Sequence, residues 1–189
     1  MQHVLTDRHN RNALPITSAL LDNRYETTEE YHKSCWFMLS HELLLSIREM
    51  IRDLELYAIA DLCCGTGWAS YWLSKYDMPV SASIDNKKGS EKQYLNMVQN
   101  EDAADYVKRT PEMQLYFLSW PWDEDPVTKQ ICGNMREGQY LLYIGESSCC
   151  GVPQFGDDNS LQKDRWNMSN SFLTFDGYYD EIRLHRKQK

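Results

Sequence analysis

Residues 56–67 read Leu-Tyr-Ala-Ile-Ala-Asp-Leu-Cys-Cys-Gly-Thr-Gly, and this stretch decides the fold. Its apolar first half predicts a buried strand that ends near the acid Asp61, and a helical pattern starts at Trp68. Gly65 and Gly67 allow a sharp turn and leave room for a ligand, because neither has a Cβ atom. The loop leads into a helix N-terminus, whose N–H groups can meet polar ligand atoms. The stretch therefore predicts a strand–loop–helix corner that holds a nucleoside-type cofactor.

Two known glycine-loop motifs can be compared with this corner, and one of them matches it better. A dinucleotide fingerprint requires G-x-G-x-x-G after the strand, but Ser70 stands where the third glycine would be. The segment 61–67 instead resembles [DE]-x-G-x-G-x-G, the first motif of the class I S-adenosylmethionine-dependent methyltransferases, with Cys63 in place of the first glycine. A glycine loop of this kind can also be only a structural turn. The resemblance implies cofactor-binding residues at Asp61, Cys63, Cys64, Gly65, Thr66 and Gly67.

Size and composition indicate a single globular domain. The chain has 189 residues, of which 42% are apolar and 25% charged. No apolar run reaches the length of a membrane span, and the polar residues 1–12 do not resemble a secretory signal. On the family resemblance, we expect residues 1–55 to form an N-terminal helical segment that covers the cofactor site. Residues 56–189 would form the S-adenosylmethionine-binding, Rossmann-like domain.

The six cysteines favour free thiols over disulfides or a metal site. Four of them stand as adjacent pairs, Cys63-Cys64 and Cys149-Cys150, at expected strand ends. The sequence has no C-x-x-C spacing of the kind that binds zinc. Buried thiols are typical of a reducing compartment, so we expect a cytoplasmic protein without a metal.

Helical and strand patterns alternate along the chain. A capping box at Thr27 and Glu30 precedes apolar residues at helical spacing, which predicts one long helix over 29–53. Apolar or alternating runs predict strands over 56–62, 80–84, 115–119 and 139–145. Shorter helical patterns are found over 67–74, 89–98, 127–135 and 161–168.

The rest of the pattern completes an α/β fold. A further strand is expected between residues 99 and 111, where only 106–108 offers a candidate. Two last strands, 171–175 and 180–185, are predicted to turn at Asp176-Gly177. These elements predict a doubly wound, mostly parallel sheet with helices on both faces and a C-terminal antiparallel hairpin. The family resemblance implies seven strands, the last of them antiparallel.

Acidic residues follow two of the expected strands. In such a sheet, ligands bind beyond the carboxyl ends of the strands. Asp85, followed by Asn86, ends the second strand at nearly the spacing of about 20 residues expected for a ribose-binding carboxylate. A carboxylate can accept both hydroxyl hydrogens of a ribose diol. Asp102-Ala103 resembles the third motif of the family, which implies a contact with the adenine amino group.

The segment Ser119-Trp120-Pro121-Trp122 ends the strand over 115–119. It resembles [DNS]-P-P-[FYW], the motif of amino-group methyltransferases such as those that act on N6 of adenine, with Trp120 in place of the first proline. The resemblance implies that the polar side chain orients an amino group and that the aromatic ring stacks on a planar substrate. Glu146, at the next strand end, is a candidate weak base or binder of a cationic substrate, or a simple loop acid.

Together these residues predict an S-adenosylmethionine-dependent methyltransferase that N-methylates a small molecule or a nucleotide-like planar amine. The formal charge of −8 disfavours a duplex nucleic-acid partner. Three alternatives remain: a protein that binds, sequesters or degrades S-adenosylmethionine without transferring methyl, a nucleic-acid adenine N6-methyltransferase, and, more remotely, a nicotinamide-dependent dehydrogenase.

Overall fold

The computed structural model describes residues 37, 39–85, 98–121, 126–146, 161–167 and 180–189. A seven-stranded sheet forms the centre of this part of the chain. Its strands are β1 (Ile59–Leu62), β2 (Val80–Ile84), β3 (Val98–Gln99), β4 (Leu115–Ser119), β5 (Tyr140–Gly145), β6 (Leu161–Asn167) and β7 (Glu181–Lys187).

The strands lie in the order β3-β2-β1-β4-β5-β7-β6. The first five strands in this order are parallel, and β7 runs antiparallel to both β5 and β6. This topology confirms the predicted doubly wound, mostly parallel sheet with an antiparallel hairpin at its C-terminal edge.

Helices cover both faces of the sheet. The side chains of a strand alternate between faces, so Ile59 contributes to one core and Ala60 to the other. The first core also contains α1 (His41–Asp53) and α2 (Trp68–Lys75). The second contains α3 (Ala103–Arg109) and α4 (Val127–Asn134). None of the helices in the described residues is long and apolar enough to cross a membrane.

The long helix predicted over 29–53 is wrong at its start, because α1 begins only at His41. Ser40 has an extended backbone, and its hydroxyl accepts a hydrogen bond from the backbone N–H of Leu43 at 3.2 Å, which caps the helix. Leu39 lies just before this cap and is buried without being helical, which explains why the apolar pattern continues upstream of the cap. Residues 29–36, with part of the predicted helix, lie outside the described residues.

Two other predicted elements are wrong. The stretch 106–108 belongs to α3, whose N-cap is Asp102, and the third strand is Val98–Gln99. The stretch 161–168 is not a helix, because Leu161–Asn167 is the edge strand β6, which pairs with β7. An edge strand has only one partner and tolerates charged residues, so its sequence lacks the apolar alternation that predicts strands. The predicted strand 171–175 and most of the helix 89–98 lie outside the described residues, although Val98 itself is in β3.

Candidate functional site

The carboxyl ends of β1, β2, β4 and β5 meet at one edge of the sheet, because these strands are parallel. The chain runs from β1 to β2 and β3 on one side and then returns to β4 on the other side. The strand order therefore reverses between β1 and β4, which is where doubly wound folds bind ligands. The candidate site is built from the residues at this edge.

The loop after β1 has the backbone that a glycine motif requires. Gly65 has φ 56° and Gly67 has φ 75°, both in the left-handed region. A Cβ atom placed on Gly65 would meet no atom of the described residues within 4 Å, so the loop has open space at this position. Cys63, in place of the motif's first glycine, also has a positive φ of 54°. The loop thus keeps the glycine conformation at a position where the side chain makes it costly.

Hydrogen bonds fix this loop onto the sheet and the next helix. The backbone N–H of Cys64 donates to the carbonyl of Ile84, at the end of β2, at 3.0 Å. The N–H of Gly67 donates to the carbonyl of Cys64 at 2.9 Å. Gly67 is the N-cap of α2 and has no side chain with which to cap it. The N-terminus of α2 therefore opens toward this loop.

Asp61 is fully buried at the end of β1. Its Oδ2 atom accepts a hydrogen bond from the Ser70 hydroxyl at 2.5 Å, and the Ser83 hydroxyl donates to Ser70 at 2.7 Å. Its Oδ1 atom is buried without a hydrogen-bond partner among the described residues. Burial raises the pKa of Asp61, the Ser70 hydrogen bonds lower it and the charge of Asp85 raises it, and together they give a pKa of about 7. This side chain can accept a proton or a cationic donor.

Ser70 and Ser83 were missed by the sequence reasoning as parts of the site. In the sequence, Ser70 serves only to argue against a dinucleotide fingerprint, since it stands in place of the third glycine. Both serines are buried, one in the first turn of α2 and the other in β2. The sequence alone does not reveal their role, because the two hydroxyl groups come close to the buried acid only when the two strands and the helix pack together.

Asp85 joins the predicted ribose-binding position to the glycine loop. Its Oδ2 atom accepts a hydrogen bond from the backbone N–H of Gly65 at 2.7 Å. Its own N–H donates to the carbonyl of Gln99 at 3.1 Å, which holds it at the ends of β2 and β3. The carboxylate is partly exposed and can accept further hydrogen bonds. Asn86 lies outside the described residues.

Asp102 caps α3. Its Oδ1 atom accepts hydrogen bonds from the N–H groups of Ala104 at 2.9 Å and Asp105 at 3.0 Å, and Ala103 is buried behind it. Asp102 also lines an open cavity of about 540 Å³ between α3 and α4. The helix cap accounts for an acid at this position, and the adenine contact stays a prediction.

The corner after β4 is fixed by Trp120. Its backbone N–H donates to the carbonyl of Ile144 at 2.8 Å, and its φ is 47°. Its indole Nε1–H donates to Oδ1 of Asp180 at 2.7 Å, while its ring packs against both cores. Ser119 is partly exposed beside it and Pro121 is buried. Trp122, the aromatic position of the motif, lies outside the described residues.

Asp180 lies opposite Glu146. Gly145 of β5 pairs with Glu181 of β7 in the antiparallel ladder, so the next residue of each strand end faces the other. Asp180 is 8% exposed. Burial raises its pKa, the hydrogen bond from Trp120 lowers it and the charge of Glu146 raises it, and together they give a pKa of about 7. The sequence reasoning named Glu146 but missed Asp180, although that acid stands at the start of a predicted strand.

The site is therefore rich in carboxyl groups, from Asp61 and Asp85 on one side to Glu146 and Asp180 on the other. Acidic side chains around one edge produce a negative potential that favours cationic ligands. Among the described residues, no group of three or more His, Cys, Asp or Glu side chains is arranged to hold a metal ion.

Comparisons with known proteins bear on this arrangement. No protein-family model matches the sequence, and no curated protein matches it. In contrast, 214 chains of solved structures match. An O-methyltransferase from Bacillus cereus in complex with SAH is similar over 84% of this chain and 86% of its own, with 11% identity and a TM-score of 0.55.

Other solved structures match over a similar extent. A methyltransferase from Geobacter sulfurreducens is 10% identical, with 80% of each chain covered and a TM-score of 0.54. An rRNA methylase from Streptococcus thermophilus is 12% identical, with 80% of this chain and 99% of that chain covered and a TM-score of 0.50. The chain has the fold of the class I methyltransferases. At these identities the similarity establishes the fold, and the activity is argued from the site.

Proposed function

We propose that the protein is an S-adenosylmethionine-dependent methyltransferase that N-methylates a small molecule or a nucleotide-like planar amine. The observation that carries this proposal is the hydrogen bond from Gly65 to Asp85. It joins the glycine loop after β1 to the acid after β2, on a fold that matched proteins use for methyl transfer. A purely structural turn needs no carboxylate at the end of the neighbouring strand.

The residues fit the parts of S-adenosylmethionine. The buried Oδ1 atom of Asp61 has capacity for a donor such as the ammonium of the methionine part. The open space at Gly65 allows the ligand to approach the backbone. Asp85 can accept hydrogen bonds from the ribose hydroxyls while it holds the loop.

The chain's contribution to catalysis is alignment and exclusion of water. When bound, S-adenosylmethionine supplies a methyl group on a sulfonium, which is already a strong electrophile. Ser119, beside the glycine loop at the end of β4, can accept a hydrogen bond from an acceptor amine and orient its lone pair. Trp120 and Pro121 make this corner rigid, since one is hydrogen-bonded at both its backbone and its ring and the other is buried.

Isothermal titration with S-adenosylmethionine and S-adenosylhomocysteine tests the cofactor. We expect both to bind with micromolar affinity and Asp85→Asn to weaken both by about tenfold or more, because hydrogen bonds to a charged group are lost. Asp77→Asn is the matched control, since Asp77 is exposed at the opposite edge, before β2. If neither ligand binds the wild-type protein, the proposal is wrong.

The second candidate function is binding or degradation of S-adenosylmethionine without methyl transfer. Trp120 favours it, because this residue stands in place of the first proline of the amino-methyltransferase motif and its indole is hydrogen-bonded to Asp180. Incubation of the protein with the cofactor alone, followed by analysis of the products, separates the two. Loss of cofactor without an acceptor supports degradation, whereas turnover that needs a defined amine, such as adenosine or tyramine, supports transfer.

A further inference from the structure

The pairing of β5 with β7 brings two carboxyl groups to the acceptor side of the site. Since Gly145 pairs with Glu181, Glu146 and Asp180 face each other just beyond the ladder. Directly opposed residues on antiparallel strands have Cβ atoms about 4.5–5.5 Å apart. Two like charges so close disfavour each other, and the charge of Glu146 therefore favours the protonated form of Asp180.

Trp120 ties this carboxyl pair to the corner that faces the glycine loop. Leu118 of β4 pairs with Leu62 of β1, and Ser119 pairs with Ile144 of β5. The corner after β4 therefore lies between the loop after β1 and Glu146. The indole of Trp120 reaches from this corner to Oδ1 of Asp180, and a carboxylate has lone pairs for further donors beyond this bond.

Within the part of the chain that the structure describes, the charged groups around Asp180 leave its proton affinity high. Burial raises its pKa most and Glu146, which faces it from β5, raises it as well, so that with the lowering effect of the Trp120 hydrogen bond the pKa is about 7. On β7, Arg183 forms an ion pair with Glu181, so its positive charge is already partnered. From the corner after β4, the indole of Trp120 donates a hydrogen bond but carries no charge. A group with this pKa is matched to proton transfer near neutral pH.

We propose that Asp180, with Glu146 opposite it, accepts the proton that the acceptor nitrogen loses in methyl transfer. The lone pair of the acceptor nitrogen forms the new N–CH₃ bond, and the C–S bond breaks with its electron pair remaining on sulfur. The methylated nitrogen is then positively charged and must lose one proton to give the neutral amine. Its N–H bond breaks with the electron pair remaining on nitrogen, and the proton is taken up by a carboxylate oxygen of the pair. The inference rests on the proposed function and extends it to a basic group for the acceptor.

Sinefungin tests the inference without knowledge of the acceptor. In this cofactor analogue a C–NH₃⁺ group replaces the S–CH₃ group, so it places a protonated nitrogen beside the reacting position. We define the preference as the affinity for sinefungin divided by that for S-adenosylhomocysteine, both from isothermal titration at pH 8. Asp180→Asn should lower this preference by about tenfold and leave the affinity for S-adenosylhomocysteine nearly unchanged.

The controls separate the possible failures. Asparagine can still accept the hydrogen bond from Trp120, and Glu146→Gln provides a second variant that should also lower the preference. Asp77→Asn should leave it unchanged. An unchanged preference in both Asp180→Asn and Glu146→Gln, with S-adenosylhomocysteine still bound, overturns this inference and leaves the proposed function intact. Failure of the wild-type protein to bind S-adenosylhomocysteine overturns the proposed function, and this inference with it.

Discussion

Asp61 has an unusual environment for an acid, because the effect of burial on its pKa is larger than the opposite effect of its hydrogen bonds. The two serines that serve it form a chain from Ser83 to Ser70 to the carboxylate, and they satisfy only one of its two oxygen atoms. The protein therefore carries a buried group that is stabilised by a proton or by a cationic ligand.

The pH dependence of stability should reveal this group. The pKa of Asp61 is about 7 in the folded protein and about 3.8 ordinarily. Because the folded state holds the proton more tightly, the contribution of Asp61 to stability is fully present below pH 4 and is lost as the pH rises to 7. Asp61→Asn should therefore raise the free energy of unfolding at pH 8 by about 2 kcal/mol and have little effect at pH 4. Urea unfolding at both pH values measures this difference. A variant with the same free energy of unfolding as the wild-type protein at pH 8 would contradict the prediction.

Cys63 has the backbone of a glycine without being one. A non-glycine residue in the left-handed region costs roughly 1–2 kcal/mol, and Cys63 has φ 54°. Cys63→Gly should raise the free energy of unfolding by about 1 kcal/mol, whereas Cys63→Ala, which keeps a Cβ atom, should not. Chemical denaturation of the two variants tests this, and equal stabilities for glycine and alanine would show that the loop is not strained there.

At the scale of the elements, Asp102 at the N-terminus of α3 can have a structural role, a ligand-binding role, or both. Asp102 accepts two backbone hydrogen bonds at the helix N-terminus. Asp102→Ala should lower the free energy of unfolding by about 1 kcal/mol, whereas Asp102→Asn should cost only a few tenths, because asparagine is also a good N-cap. Thermal or urea unfolding distinguishes the two. If Asp102→Asn keeps the stability but weakens S-adenosylhomocysteine binding, the acid has a second role toward the ligand.

The elements that the sequence predicts best are two strands in the interior of the parallel sheet. Val80–Ile84 and Leu115–Ser119 were predicted at their observed bounds, because central parallel strands are continuous apolar or small-residue runs between turns. At the edge strand Leu161–Asn167 the sequence instead predicts a helix, because this strand is polar and has only a weak apolar alternation. The start of α1 was misplaced because apolar spacing continues past Ser40 into residues that are buried without being helical.

The same contrast applies to the site. The loop motif and Asp85 were both named from the sequence, and the structure brings them into hydrogen-bond contact at Gly65. Their role in binding a cofactor remains a prediction. Ser70, Ser83 and Asp180 could not be found in advance, because each acts through a partner distant in sequence. Trp120 and Asp180 are an example, because they are separated by 60 positions in the sequence and only the pairing of β5 with β7 brings that acid to the corner.

For the whole molecule, charge and topology favour the same class of ligand. The chain carries a formal charge of −8, and the carboxyl edge of its sheet concentrates acids at the ends of β1, β2 and β5 and at the start of β7. Such an edge repels phosphate backbones and attracts small cations. A cofactor with a sulfonium and an ammonium fits that potential, and so does an amine acceptor.

A crystal structure of the protein with S-adenosylhomocysteine would show directly whether this edge of the sheet binds the cofactor. We expect the ligand to lie at the carboxyl ends of β1 and β2. Its ribose hydroxyls should be within hydrogen-bond distance of Asp85, and its ammonium near Oδ1 of Asp61. Binding at another surface, or a ribose that makes no contact with Asp85, would contradict the assignment of this edge as the cofactor site.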